Sequence, residues 1–162
     1  MMNEHIKVLK IMSEVTSRVD LKTFAQMVGL DTKQIVERLQ DLANSGVIKK
    51  LGGGYGITEK GQIILKSIKL VPKENTFHFY LGVGQPTAFS AESLKDFYEK
   101  IKHVAPESLD FHFYRGDFEN WISGTIKDAA LAKEFANLRN AELKGEELRQ
   151  GILKAMAAIY GF

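Results

Sequence analysis

The sequence predicts an α+β protein, mostly helical, built as two small domains. Three observations predict it. Apolar residues recur at three- and four-residue spacing through most of the chain, the period of a one-sided helix. Two short stretches are strand-like instead, each beside a glycine-containing turn, as hairpin strands are. Val71-Pro72-Lys73-Glu74-Asn75 then breaks the helical pattern with a proline in a polar run, which marks a linker. The expected division is a first domain over 1–70, a linker over 71–75 and a second, α-rich domain over 76–162 with a short β-hairpin.

In the first domain, Ile6, Leu9, Met12 and Val15 share a helical face and predict helix one over about 4–18. Asp20 caps a short second helix with Leu21, Phe24, Ala25 and Val28 on its apolar face. Gly29 ends it, since the sharp turn that follows favours a residue tolerant of positive φ. Asp31 or Thr32 caps helix three, with Ile35, Val36, Leu39 and Leu42 inward and Gly46 closing it. Residues 47–50 and 55–58 predict two strands around Gly52-Gly53-Gly54. Thr58 starts a fourth helix with Ile63, Ile64 and Ile68 facing in.

In the second domain, Phe77, Phe79 and Leu81 alternate with His78 and Tyr80, which predicts a strand over 76–82. A turn over 82–86 lets 87–89 return beside it. Ser90 is expected to cap a helix with Leu94, Phe97, Tyr98 and Ile101 inward, and Pro106 to open the next element. Phe111 and Phe113 alternate with His112 and Tyr114 as in a strand, but Leu109, Phe113, Phe118, Trp121 and Ile122 fit interrupted helices. The helical reading is preferred, with a break at Gly116 and Asp117 capping the next segment. Asp128 caps a helix through Leu131, Phe135 and Leu138, and 145–160 form the last helix. The many aromatic residues read as core, because a domain this small needs large side chains to bury enough area. A ligand pocket or dimer surface lined by some of them is the functional alternative.

Composition excludes several classes. There is no cysteine, hence no disulfide, thiol chemistry or zinc finger, and a reducing cytoplasm is the natural setting. No apolar run reaches the ~18 residues of a membrane span, and MMNEHIKVLK mixes charge with apolar residues, unlike a secretory signal. Charge is uneven: residues 1–70 hold 11 basic and 7 acidic side chains, a net +4, whereas 71–162 hold 11 and 13, a net −2. A basic first half suits a polyanionic partner.

The first-domain order is helix, helix, turn, helix, strand, glycine turn, strand, helix. On the residues LKTFAQMVGLDTKQIVERLQDLANSGVIKKLGGGYGITEKGQIIL, covering 21–65, the chain resembles winged helix-turn-helix transcription regulators of archaea and bacteria. The resemblance implies duplex DNA as partner, with the third helix in the major groove and the hairpin wing on the flank. Thr32, Lys33, Gln34 and Arg38 would then reach bases and phosphates from helix three, with Gln34 suited to adenine. Lys49, Lys50 and Tyr55 would serve from the wing, and Lys22 and Thr23 from helix two. Glu37 and Asp41 face the same way and repel phosphate. One such domain reads a short half-site, so a homodimer is expected, acting in transcription at the nucleoid. The rival reading is a winged-helix module that contacts protein instead. A small-molecule effector or a protein partner for the second domain stays open.

The second half carries FHFY…G…FSAESLKDFYEKI…SLDFHFYRGDFENWI…DAALAKEF. It resembles an uncharacterised, mostly archaeal domain family, which implies no chemistry.

Enzymatic motifs are sparse, and the expectation is a non-enzymatic binder without cofactor or metal. Gly82-Val83-Gly84 is a lone GxG; Pro86 stands where a dinucleotide site needs a further glycine, so a hairpin turn is the plainer reading. His78, His103 and His112 lack a tight metal-ligand spacing. His112, Arg115 and Asp117 cluster, and a histidine beside an acid is a general-base pattern. The plainer reading there is a polar edge of the core, with Asp117 as a cap.

Overall fold

The computed structural model describes residues 3–15 and 17–162. It is α+β and mostly helical, with two separate two-stranded antiparallel sheets. Two compact units divide between Lys66 and Ser67. Among the described residues no helix is long and apolar enough to cross a membrane.

The first unit holds α1 (Asn3–Glu14), α2 (Leu21–Val28), α3 (Thr32–Asn44), β1 (Ile48–Leu51), β2 (Gly54–Ile57) and the start of α4 (Glu59–Ile68). Its core is Val8 and Leu9 of α1, Phe24, Ala25 and Val28 of α2, Ile35, Leu39 and Leu42 of α3, and Val47 and Ile48 at the hairpin. Helix one ends at Glu14 rather than near residue 18; residue 16 of the expected span lies outside the described residues. The hairpin strands sit one residue away from their expected bounds, because Val47 is used before the strand begins: its N–H bonds the Leu42 carbonyl at 3.0 Å. Val36, expected inward, is 44% exposed. The fourth helix sits close against the hairpin: a Cβ on Gly61 would lie 2.4 Å from the Val47 carbonyl oxygen, so this position has room only for glycine.

The second unit begins with a 3₁₀ turn (Lys73–Asn75) and then holds β3 (Phe77–Gly82), β4 (Gln85–Ala91), α5 (Leu94–Ile101), α6 (Pro106–Arg115) and α7 (Asp117–Trp121). A π-helical turn (Ile122–Ile126), α8 (Ala129–Arg139) and α9 (Gly145–Tyr160) complete it. Residues 71–75, expected as a linker, are bonded into this unit: Val71 N–H donates to Glu92 O at 2.8 Å, and Trp121 Nε1 to Asn75 O at 2.7 Å. The return strand extends to Gln85–Ala91, so Ser90 lies in it opposite His78, and Ser93 is the residue that caps α5. Pro106 opens α6 as expected. Gly116 ends it with φ of 80°. Asp128 caps α8 through Leu131 N–H at 3.1 Å.

Much of the aromatic density is core. Phe79, Phe97, Phe113, Phe118 and Phe135 are fully buried. Phe77 sits 4.9 Å from Phe79, 5.8 Å from Phe97, 5.3 Å from Phe118 and 5.7 Å from Trp121, between ring centroids. Burying each such ring contributes about 1.5–3 kcal/mol, and edge-on contacts add to it.

Candidate nucleic-acid interface and a cleft in the second unit

The α2–turn–α3 segment is fixed by its own ends. The Asp20 carboxylate accepts the Thr23 N–H at 2.7 Å, and that bond holds the carboxyl below its ordinary range. Gly29 turns with φ of 84°, and its N–H returns to Ala25 O at 2.9 Å. Asp31, not Thr32, caps α3: it accepts Gln34 N–H at 2.8 Å, while the Gln34 carboxamide oxygen accepts Asp31 N–H at 3.1 Å. This reciprocal pair satisfies two amides that the helix start leaves orphaned. It also uses one of the two acceptor sites of the Gln34 oxygen, so the amino group is the part of the side chain left wholly free to meet a ligand.

Arg38 is placed differently from its expectation. Its Nε and Nη2 lie 3.1 and 2.8 Å from Glu4 Oε1 on α1, with the side chain 20% exposed. Glu4, by that hydrogen bond, holds the guanidinium above its ordinary pKa. Along the same side, His5 Nε2 lies 2.9 Å from Asp41 Oδ2. Arg38 is thereby turned to α1, whereas Asp41, although bonded to His5, keeps its side chain 54% exposed. The exposed residues of α3 are Thr32, Lys33, Val36, Glu37, Gln40, Asp41 and Asn44, of which Lys33, Val36, Glu37 and Gln40 form a strip spaced three and four apart. Thr32 is exposed at the start of the helix, and Lys22 and Thr23 are exposed on α2.

On the hairpin, Lys50 stands opposite Tyr55 and Lys49 opposite Gly56. Cross-strand neighbours share a face, so Lys50 and Tyr55 lie side by side while Lys49 faces the other way with Leu51. Lys49, Lys50 and Tyr55 are all exposed. At the tip, a Cβ on Gly53 would sit 2.3 Å from Arg18 Nη2, so an exposed guanidinium lies against the glycine turn.

In the second unit, His112 is the centre of a polar chain. It is buried on α6, one face of its ring set among Phe77 and Phe118 with centroids 4.9 and 5.5 Å away. Its Nε2 accepts the Tyr80 N–H of β3 at 2.8 Å. Accepting there requires a bare Nε2, so the proton of the neutral ring is on Nδ1, which donates to Asp117 Oδ2 at 2.8 Å. Burial lowers the His112 pKa from 6.5, and Asp117 opposes that only in part. Asp117 therefore does not cap α7, which has no side-chain cap; its carboxylate serves His112, and Arg115 Nε lies 3.5 Å from the same oxygen. Beside this chain an open cleft of about 510 Å³ runs along β3 against α6 and α7. With its one bare nitrogen occupied by a backbone amide, His112 is a poor general base.

Residues 74–160 match a family model described as a family of unknown function, DUF5752. The chain belongs to this family. An uncharacterised family was the expectation for the second half, and the DUF5752 match takes in β3 through α9. Comparison with curated proteins and with solved structures found no match.

Sequence reasoning missed two residues at the first-unit surface. Gln40 lies one turn beyond Val36 on the outward strip and was legible as soon as Val36 was placed outside. Arg18 was hidden by extending helix one across it. Within the DUF5752 region, the sequence places His112 beside Asp117, but the Asp117 carboxylate goes to His112 instead of to the expected helix cap. Nothing in the spacing tells which of two nearby donors a carboxylate takes.

Proposed function

We propose that the chain binds duplex DNA through its first unit and acts as a transcriptional regulator at the nucleoid. Three helices followed by a hairpin are the parts of a winged helix-turn-helix, with α3 as the helix that enters the major groove. The observation that carries the reading is the exposed strip of α3. Lys33, Val36 and Gln40 face water, while Arg38 is taken up by Glu4 of α1 and Asp41, still half exposed, is held by His5. Lys33 supplies a phosphate or guanine contact, Gln40 an adenine contact, and Val36 an apolar surface for a thymine methyl. Lys50 with Tyr55, and Arg18 at the hairpin tip, supply the flanking backbone contacts. A homodimer would place two such helices on a two-fold operator.

The test is fluorescence anisotropy of a labelled random duplex over a salt series. Binding should fall steeply with salt, by about 0.9 in log K per log salt for each phosphate contact. Lys33→Glu should weaken binding about 10-fold or more, at the upper end of what one charge reversal at a phosphate contact does. Lys50→Glu should act in the same direction. Absence of binding at low salt would end the reading. The rival, a protein-contact module, draws on two observations: Glu37 lies in the strip, and Met27 of α2 is 47% exposed. Partner capture with the first unit's face as bait would then be the next experiment.

A further inference from the structure

We propose that the second-unit cleft is a binding site for a small organic anion with a flat apolar body, an aromatic carboxylate in its simplest form, whose charge is received by Arg115. This stands independently of the DNA reading, since every residue it uses lies in the second unit. The cleft, about 510 Å³, falls in the range of small-molecule sites, ~300–1,000 Å³. Its lining includes Tyr80, Phe111 and Trp121, together with Val83 at the hairpin tip, which is 83% exposed. Ring-lined walls favour a flat guest, which stacks or meets them edge-on.

Arg115 is the lining cation, and it is held in place. Its guanidinium carbon lies 4.6 Å from the Phe111 ring centroid, and Nε lies 3.5 Å from Asp117 Oδ2. Asp117 is fixed in turn by His112, which is anchored on the Tyr80 amide of β3. The chain Tyr80–His112–Asp117–Arg115 thus runs from β3 outward and ends in a guanidinium 52% exposed at the cleft. Asp117 uses the Nε edge, so the two terminal nitrogens remain, with no partner among the described residues. That pair is the fork that matches a carboxylate bidentately, on a guanidinium that lies over the Phe111 ring. Asn120, exposed on the same wall, offers an amide to a second oxygen. A buried histidine that is a poor base, linked through Asp117 to one arginine that lines a cleft with aromatic residues, fits a binding site in which the polar groups are few and positioned.

Trp121 lines the cleft and is the single tryptophan of the chain, so its emission reports occupancy directly. The full chain is titrated with benzoate, and with benzyl alcohol as the uncharged counterpart, while Trp121 emission and heat of binding are followed. Benzoate should give a saturable change at millimolar concentration or below, and benzyl alcohol should bind about 10-fold more weakly or worse. Arg115→Gln should weaken benzoate about 10-fold while leaving the thermal midpoint near that of the parent, because the side chain is half exposed and its ion pair is a surface one. No saturable response to benzoate at about 10 mM overturns the proposal. So does equal binding of benzyl alcohol, or benzoate binding that Arg115→Gln leaves intact.

Discussion

In the first unit lysines stand in water on the outside of α3 and on the hairpin; in the second several polar and charged side chains are drawn inside. Lys33, Lys49 and Lys50 are exposed. His112, Asp128 and Arg149 are buried: Arg149 donates to Ile101 O at 2.5 Å and to both oxygens of Glu146 at 2.9 and 3.0 Å, and Asp128 receives the Tyr160 hydroxyl. The difference teaches what each unit is equipped to meet. Exposed charges act at a distance and suit a large polyanion. Buried polar groups must be satisfied one by one, and once satisfied they fix a unique packing and aim the few groups that remain.

The contrast breaks first at His112. His112→Ala leaves the Tyr80 N–H unpaired, takes the donor from Asp117 and opens a cavity among Phe77 and Phe118. A loss of about 3 kcal/mol is expected, from an orphaned amide and lost packing together. Urea unfolding followed at Trp121 measures it, and a loss under about 1 kcal/mol would mean the buried chain is dispensable. Next is Gly61→Ala in the first unit. Its Cβ meets a backbone oxygen and the Ile57 side chain at 2.4 and 2.6 Å, so helix and hairpin must part, at about 2 kcal/mol. Unfolding followed by circular dichroism should show the loss. An equal shift of the Trp121 midpoint would mean that the units melt as one cooperative body, which would dissolve the comparison.

The smallest expected effect is with pH. The His112 pKa is lowered in the folded protein, so below its ordinary 6.5 the unfolded chain takes up a proton that the folded one refuses. Stability of the second unit should be level above about 6.5 and fall as the pH drops below it, since stability rises with pH wherever the unfolded state binds more protons. His112→Ala should flatten that part of the Trp121-followed profile. A steeper fall on the acid side in the variant than in the parent would reverse the sign and remove the argument.

Sequence periodicity and turn chemistry determined the helix-rich α+β class, the caps at Asp20 and Asp128, the breaks at Gly29 and Gly116, and the last helix over 145–160. Each rests on residues close in the chain, where spacing alone sets which atoms meet. Arg38 and Val36 show where this stops. Helical spacing puts both near the margins of the apolar face of α3, and only the position of α1 decides that Arg38 turns to Glu4 while Val36 is left in water. The same holds for Asp117, whose place before a helix suggests a cap but whose carboxylate finds His112 once Gly116 reverses the chain. Local sequence determined which segments are helices and strands; tertiary packing decided which polar groups are consumed and which remain, because a hydrogen bond or ion pair goes to whichever partner the fold brings within about 3 Å.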